Sequence, residues 1–174
     1  MIDRVLIDTL KFKSKHLAGR WAAQIRKAPQ LKHYNVLSDE TLVAIGEAIF
    51  PQLAGFLEEG LNRSVLGAYF VKFGKGSVQH GFPLSESVYG LRLSQKVVLE
   101  YIESECIMDS SFTLYQTLSV IPKVADFFLL GCFYINKGFH EALFAQMNTA
   151  DHVSEGLLKK YFKDDFFFKK EDQE

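Results

Sequence analysis

Histidine is the residue type in this chain best suited to bind a metal or a haem iron. The five histidines are His16, His33, His80, His140 and His152. No two of them have the HExxH or HxxxH spacing that places two metal ligands on one helix face, so the sequence predicts no metal centre. His140 lies near Phe133, Phe139 and Phe144, and a single histidine among aromatic residues can be an axial haem ligand. We predict no obligatory cofactor; if a haem binds, His140 and then His80 are the predicted ligands.

The cysteines and carboxylates do not form a recognisable catalytic motif. Cys106 and Cys132 lack CxxC spacing, and they lie in apolar or mixed stretches with no neighbour that would lower a thiol pKa. The acidic residues fall at predicted helix ends or on polar faces. Residues 74–77, Gly-Lys-Gly-Ser, lack the spacing and the preceding strand of a phosphate-binding loop. A Cys-His pair formed by folding stays open, but we predict that the protein is not an enzyme.

Charge and hydropathy exclude several classes of partner. The 174 residues carry a net charge of −1, which leaves no basic surface for nucleic acid, and the basic residues between 11 and 27 are interpreted as a solvated helix face. The N-terminus carries charges where a secretory segment is apolar. The longest apolar run, residues 127–135, is about half of the roughly 20 residues that cross a bilayer. We therefore predict a cytoplasmic protein with reduced cysteines and no membrane span.

Hydrophobic periodicity predicts helices along the chain. Apolar residues recur at the spacing of an amphipathic helix in residues 2–28, 38–60, 64–80, 84–102 and 112–148, and no alternating strand pattern persists. The prediction is an all-α fold with a single helical bundle over residues 1–150, followed by a C-terminal helix and polar tail over residues 151–174. The sixteen phenylalanines indicate an aromatic core. The predicted core residues include Trp21, Phe56, Phe70, Leu91 and Phe128.

Helix-capping and helix-breaking residues set the predicted boundaries. Pro29 ends the first helix, and Ser38 is a good N-cap for the second. Pro51 and Pro122 lie inside helical patterns and are expected to kink or split them. Gly81 suits the left-handed position after a helix, and Pro83 suits the first turn of the next helix. Gly74 and Gly76 either weaken their helix or permit a neighbouring helix to pack closely.

Three short segments of the sequence together resemble a known protein family. They are residues 17–21 (Leu-Ala-Gly-Arg-Trp), residues 37–42 (Leu-Ser-Asp-Glu-Thr-Leu) and residues 80–84 (His-Gly-Phe-Pro-Leu), with Arg92 about two turns into the following helix. Residues 17–105 resemble the N-terminal domain of the RsbRD-type co-antagonist proteins of bacterial stress signalling. The resemblance implies an all-helical, sensory or regulatory input module. Related input domains have a globin-like bundle without haem, and they dimerise.

The functional prediction is a non-catalytic sensory or regulatory input domain that acts by protein–protein contact, as a homodimer. Members of this family usually precede an output domain, and none is recognised after residue 148, so the chain is expected to act alone or on a separate signalling output protein. The alternative is a ligand-binding sensor with a globin-like fold that holds haem or another apolar small molecule. The Phe-Phe-Phe run at residues 166–168 is interpreted either as a partner surface or as a segment that folds back onto the bundle.

Overall fold

The computed structural model describes residues 2–60, 63–105 and 111–149, together with Gly156 and Lys160, which are helical and exposed. Within these residues the chain forms seven helices and no strand, which confirms the predicted all-α bundle. The helices are α1 (Ile2–Phe12), α2 (Ser14–Arg26), α3 (Lys32–Asn35), α4 (Asp39–Glu59), α5 (Arg63–Gln79), α6 (Leu84–Glu105) and α7 (Ser111–Thr149). A globin-like arrangement stays a prediction. The predictions for Cys106 and for residues 151–174 other than Gly156 and Lys160 lie outside the described residues.

The predicted single helix over residues 2–28 is wrong, because the chain forms α1 and α2 with a break at Lys13. The backbone of Lys13 has φ −117° and ψ 20°, outside the helical region. Leu10 and Leu17 are both buried, so the apolar periodicity continues across the break and does not reveal it. The change of direction lets α1 pack against α4 and α7 while α2 packs against α4 and α6.

The second helix begins as predicted and is not interrupted by its proline. Ser38 Oγ accepts a hydrogen bond from Thr41 N at 3.2 Å, which is the expected N-cap of α4. α4 continues through Pro51, and α7 continues through Pro122, so the predicted breaks do not occur. Both prolines are exposed. A proline on the outer side of a helix keeps its missing hydrogen bond near solvent, which is compatible with a continuous helix.

Glycines bring α5 and α7 into backbone contact. A Cβ atom on Gly74 would overlap the carbonyl oxygen of Ile135, and one on Gly138 would overlap the carbonyl oxygen of Val71. Gly74 therefore permits close packing, which was one of its two predicted roles. A Cβ on Gly76 would meet nothing within 4 Å, so Gly76 does not share that role. Gly81 has φ 73°, which confirms the predicted left-handed turn, whereas Pro83 precedes the first residue of α6.

The core is rich in aromatic residues. The predicted core residues Trp21, Phe70, Leu91 and Phe128 are buried, but Phe56 is only partly buried. Phe127 makes edge-to-face contacts with three rings, at centroid distances of 5.5 Å to Phe56, 5.4 Å to Phe70 and 5.0 Å to Phe128. These contacts join α4, α5 and α7 and fix the framework on which the site is built.

Among the described residues, two segments are long and apolar enough to cross a membrane by length and composition: Asp39–Glu59, which is α4, and Leu114–Met147 within α7. The criterion also fits the core helix of a soluble protein. The buried face of α4 packs against α1 and α2, and that of α7 packs against α5 and α6. Two such helices are weak grounds for a membrane protein, and the predicted cytoplasmic location stays a prediction.

Candidate functional site

An apolar pocket of about 380 Å³ lies between α3, the first half of α4, the C-terminal half of α5 and the turn that leads to α6. Its volume falls within the range of about 300–1,000 Å³ that small-molecule sites occupy. The apolar part of its wall is formed by Tyr34, Leu37, Ile45, Phe73 and Phe82. Thr41, Ser77 and His80 add three polar side chains. The pocket is thus a mostly apolar site with a few polar groups.

Glu86, in the first turn of α6, holds α3 in place through hydrogen bonds to His33. Its side chain is 6% exposed, and its two carboxylate oxygens accept hydrogen bonds from His33 N at 2.9 Å and from His33 Nδ1 at 2.7 Å. The backbone N–H of His33 lies in the first turn of α3, where it has no partner within the helix. The carboxylate therefore caps this one-turn helix from another part of the chain.

Arg26, the last residue of α2, holds the segment that follows α3. Its guanidinium donates to the carbonyl oxygens of Asn35 at 2.8 Å and Leu37 at 2.6 Å. The same group donates to Asp39 Oδ1 at 3.1 Å and 2.7 Å, at the start of α4. Because a planar guanidinium presents several donors in fixed directions, one side chain joins the ends of three helices. Residues 35–39 are thereby fixed as one side of the pocket.

The Tyr34 ring forms the inner wall. It packs edge-on against Phe82 at a centroid distance of 4.8 Å and against Trp21 at 6.0 Å. Burial raises the pKa of the Tyr34 hydroxyl well above its usual range, the negative charge of Glu86 raises it further, and a hydrogen bond with Ser87 acts in the opposite direction. Tyr34 is therefore a neutral structural group at physiological pH and is unsuited to act as a base.

The two serines beside the pocket form hydrogen bonds with each other and with the backbone, and Ser87 also with Tyr34. Ser77 Oγ donates to the carbonyl oxygen of Phe73 at 3.1 Å and accepts from Ser87 Oγ at 2.9 Å. Ser87 is fully buried, and its hydroxyl also lies 3.2 Å from the carbonyl oxygen of Pro83. Neither hydroxyl contacts a histidine or carboxylate through these bonds, so neither has the activated environment of a catalytic nucleophile.

His80 supplies the polar group with unused hydrogen-bonding capacity. Its Nδ1 atom lies 2.8 Å from the carbonyl oxygen of Gly76. A carbonyl oxygen only accepts, so Nδ1 carries the proton, and in the neutral ring Nε2 has a lone pair. No group among the described residues bonds to Nε2. His80 is exposed at the rim of the pocket, from where this nitrogen can accept a hydrogen bond from a ligand.

The two predicted haem ligands occupy different places. His80 lines the pocket, whereas His140 is exposed on α7, where its ring lies 6.4 Å from that of Phe139, and it is not among the pocket residues. Burial raises the pKa of the Cys132 thiol, although the positive charge of Arg92 acts in the opposite direction. No group of three or more potential metal ligands occurs in the part of the chain that the structure describes.

The sequence predicts His80 as a site residue but does not identify the residues that hold the pocket walls in place. Arg26 was interpreted as part of a solvated basic face, and Glu86 and Ser87 were not singled out. Arg26 donates to the backbone carbonyls of Asn35 and Leu37 as well as to Asp39 Oδ1, and no sequence signal reveals contacts with backbone carbonyls. The only hint was local, since an acidic residue at the start of a helix such as Glu86 is often a capping group.

Replacing Glu86 by alanine is expected to lower the free energy of unfolding by about 1–3 kcal/mol, because two part-buried hydrogen bonds from His33 to the Glu86 carboxylate are lost. The amide of His33 should also lose protection against hydrogen exchange. Glu86→Gln keeps one acceptor oxygen and should cost less. Continued protection of the His33 amide in the alanine variant would show that Glu86 is not its acceptor.

The comparisons with family models, with curated proteins and with solved structures find no match to this chain. The resemblance to the RsbRD-type N-terminal domain is therefore untested, and the site is interpreted from its own residues.

Proposed function

We propose that this protein is a non-catalytic regulatory module that binds a small apolar molecule carrying one hydrogen-bond donor. The observation that carries the proposal is the pocket of about 380 Å³ with an apolar wall and His80 at its rim. The Nε2 lone pair of His80 would accept the ligand's hydroxyl or amide hydrogen, while Phe73 and Phe82 would contact its apolar part.

Binding rather than catalysis is favoured by the state of the polar groups. The Ser77 hydroxyl is engaged by a backbone carbonyl, and burial keeps the Tyr34 hydroxyl protonated. A catalytic site needs a nucleophile, a base and a group that orients the base, and the described residues around this pocket do not supply such a set. Recognition of a ligand requires none of these.

The elements that form the pocket support a regulatory role as part of this proposal. Its walls come from α3, α4 and α5, and Arg26 and Glu86 hold the α3 side in place. A ligand that binds one arrangement of these helices more tightly than another shifts the population toward it. The resemblance to bacterial stress-signalling input domains supports this proposal, in which the bound state is communicated to a separate output protein by contact.

Filling the pocket from within tests the proposal. Gly76 lies on the pocket wall and a Cβ there meets open space, so Gly76→Leu should place a side chain in the ligand's volume. We expect the wild-type protein to bind 1-naphthol saturably in calorimetric titrations, and the variant to bind it at least about tenfold more weakly. Leucine is a better helix former than glycine, so the melting temperature should not fall.

Two further variants separate the pocket from other surfaces. His80→Ala should weaken 1-naphthol binding about fivefold through the loss of one hydrogen bond, and His140→Ala should leave it unchanged. Wild-type protein that binds neither 1-naphthol nor 1-decanol would contradict the proposal, as would unchanged binding by Gly76→Leu.

Haem is the alternative ligand of this pocket, and its binding is measured separately by absorption spectroscopy. A Soret band after addition of haemin that is lost in His80→Ala would identify haem as the ligand of this pocket. A band that is lost only in His140→Ala would place the site on α7 and contradict the assignment of the pocket.

A further inference from the structure

The C-terminal third of α7 presents aromatic side chains to solvent. Phe133 is 60% exposed and Phe144 is 64% exposed, although the other side of the helix is buried in the bundle. Lys137 and His140 are also exposed, and the spacing of residues 133, 137, 140 and 144 follows the helical period, so all four lie on one side. We call these four residues the α7 outer stripe. Exposed aromatic residues arranged in this way commonly mark an interaction surface.

The segment that follows α7 has the composition of a helix that could cover such a surface. Residues 150–174 contain two leucines, one tyrosine and four phenylalanines. Gly156 and Lys160 are helical and exposed, and they share one side of the helix because they are four residues apart. Leu158 and Phe162 each follow one of them by two residues, which is about 200° around a helix. A helix through these positions therefore carries Leu158 and Phe162 on the side opposite the exposed one.

The segment and the α7 outer stripe match position by position if the chain reverses direction after Thr149. A three-residue turn at residues 150–152 is an ordinary length for a connection between two helices. Thr149 then lies opposite Val153, and each step back along α7 is matched by a step forward along the segment. The same steps lead to three pairs of facing residues: Phe144 and Leu158, His140 and Phe162, and Lys137 and Asp165.

Each of these pairs is chemically complementary. Leu158 and Phe144 are both apolar, and Phe162 would meet the imidazole ring of His140 as two aromatic rings meet in a core. Asp165 would bring a negative charge to Lys137. None of the ion pairs formed among the described residues involves Lys137. The apolar surface and the charge of the stripe are thus both matched by one segment of the same chain.

We propose that residues 153–165 form a helix that packs antiparallel on the α7 outer stripe and covers its aromatic side chains. Leu158 packs against Phe144, Phe162 packs against His140, and Asp165 pairs with Lys137. The contact uses none of the residues that line the ligand pocket, so this inference does not depend on the proposed function.

Hydrogen exchange on the full chain tests the apolar part of the contact. In the wild type, the amides of residues 157–165 should exchange at least about tenfold more slowly than those of an unstructured chain. Phe144→Glu removes the apolar partner of Leu158 and should lower this protection at least about tenfold. The melting transition of the bundle should stay unchanged, because Phe144 is exposed. Tyr115→Glu is the matched control, since Tyr115 is 73% exposed on the same helix but lies outside the stripe.

A charge exchange tests the register of the two helices. Lys137→Asp and Asp165→Lys each place like charges opposite each other, and each should lower the protection of residues 157–165 about threefold at low salt. The double variant restores an opposite pair and should return to within about 1.5-fold of the wild type. Lys15→Asp, on the exposed surface of α2, makes the same change in net charge and should have no effect.

Three results would overturn the proposal. The first is exchange of residues 157–165 at the rate of an unstructured chain in the wild type, or unchanged protection in Phe144→Glu. The second is a loss of protection in the two charge variants that the double variant does not restore. The third is protection that falls on dilution from about 100 μM to about 2 μM, because mass action makes a contact with a second copy depend on concentration, whereas a contact within one chain does not.

Discussion

Leu91→Asp is expected to unfold the protein. Leu91 is 2% exposed on α6, and it faces α7 so closely that a Cβ on Gly131 would lie 2.9 Å from its Cδ2 atom. A carboxylate in that position has neither water nor a partner, and we expect a cost of more than about 4 kcal/mol. The total stability of a domain is about 5–15 kcal/mol, so little folded protein should remain. The cooperative transition in circular dichroism should be lost or moved far below that of the wild type.

The neighbouring residue provides the control. Arg92 is exposed, and Arg92→Asp introduces the same side chain one position along the same helix. Its effect on the free energy of unfolding should stay within about 0.5 kcal/mol. If Leu91→Asp melted like the wild type, the inward orientation of this face of α6 would be wrong.

Alanine at Gly74 and alanine at Gly76 are expected to change stability in opposite directions. A Cβ at Gly74 would overlap the backbone of Ile135, and backbone cannot move aside as a flexible side chain does. We expect Gly74→Ala to cost about 3 kcal/mol, at the upper end of the range for overpacking. Gly76→Ala meets open space and should stabilise the protein by about 0.5–1 kcal/mol, because alanine restricts the unfolded chain and favours helix.

Chemical denaturation of the two variants measures this difference directly. Since both changes are glycine to alanine in the same helix, intrinsic helix propensity cancels and only the contact with α7 remains. Gly138→Ala, on the opposite side of the crossing, should behave like Gly74→Ala. Equal effects at Gly74 and Gly76 would mean that α5 and α7 do not approach as closely as described.

Much of the fold could be predicted from the sequence because it depends on local rules. The Ser38 cap, the left-handed Gly81 and the inward faces of Trp21, Phe70 and Phe128 follow from residue type and helical period. The break at Lys13 could not be predicted, because helix α1 turns toward contacts made much later in the chain. The predicted breaks at Pro51 and Pro122 do not occur for a related reason, since the effect of a proline depends on which side of the helix faces water. The predicted kinks stay a prediction.

The site was less predictable than the fold. The pocket is lined by residues far apart in the sequence, from Tyr34 on α3 to Phe82 after α5, and the pair His33–Glu86 joins residues 53 positions apart. His140 was ranked above His80 because of its aromatic neighbours in sequence. Adjacent residues on a helix point in different directions, so Phe139 is buried while His140 is exposed. Proximity in sequence was therefore a poor guide to which histidine borders a cavity.

The glycine crossing has a mechanical consequence for α5. This helix carries Ser77 on the pocket side and, three residues earlier, Gly74 against the backbone of α7. When two helices are separated by side chains, a small movement of one helix can be accommodated by changes of side-chain rotamer. At Gly74 and Gly138 that layer of side chains is missing. We therefore expect that a movement of α5 at the pocket would move α7 by a similar amount, because the two helices are in direct backbone contact at Gly74 and Gly138.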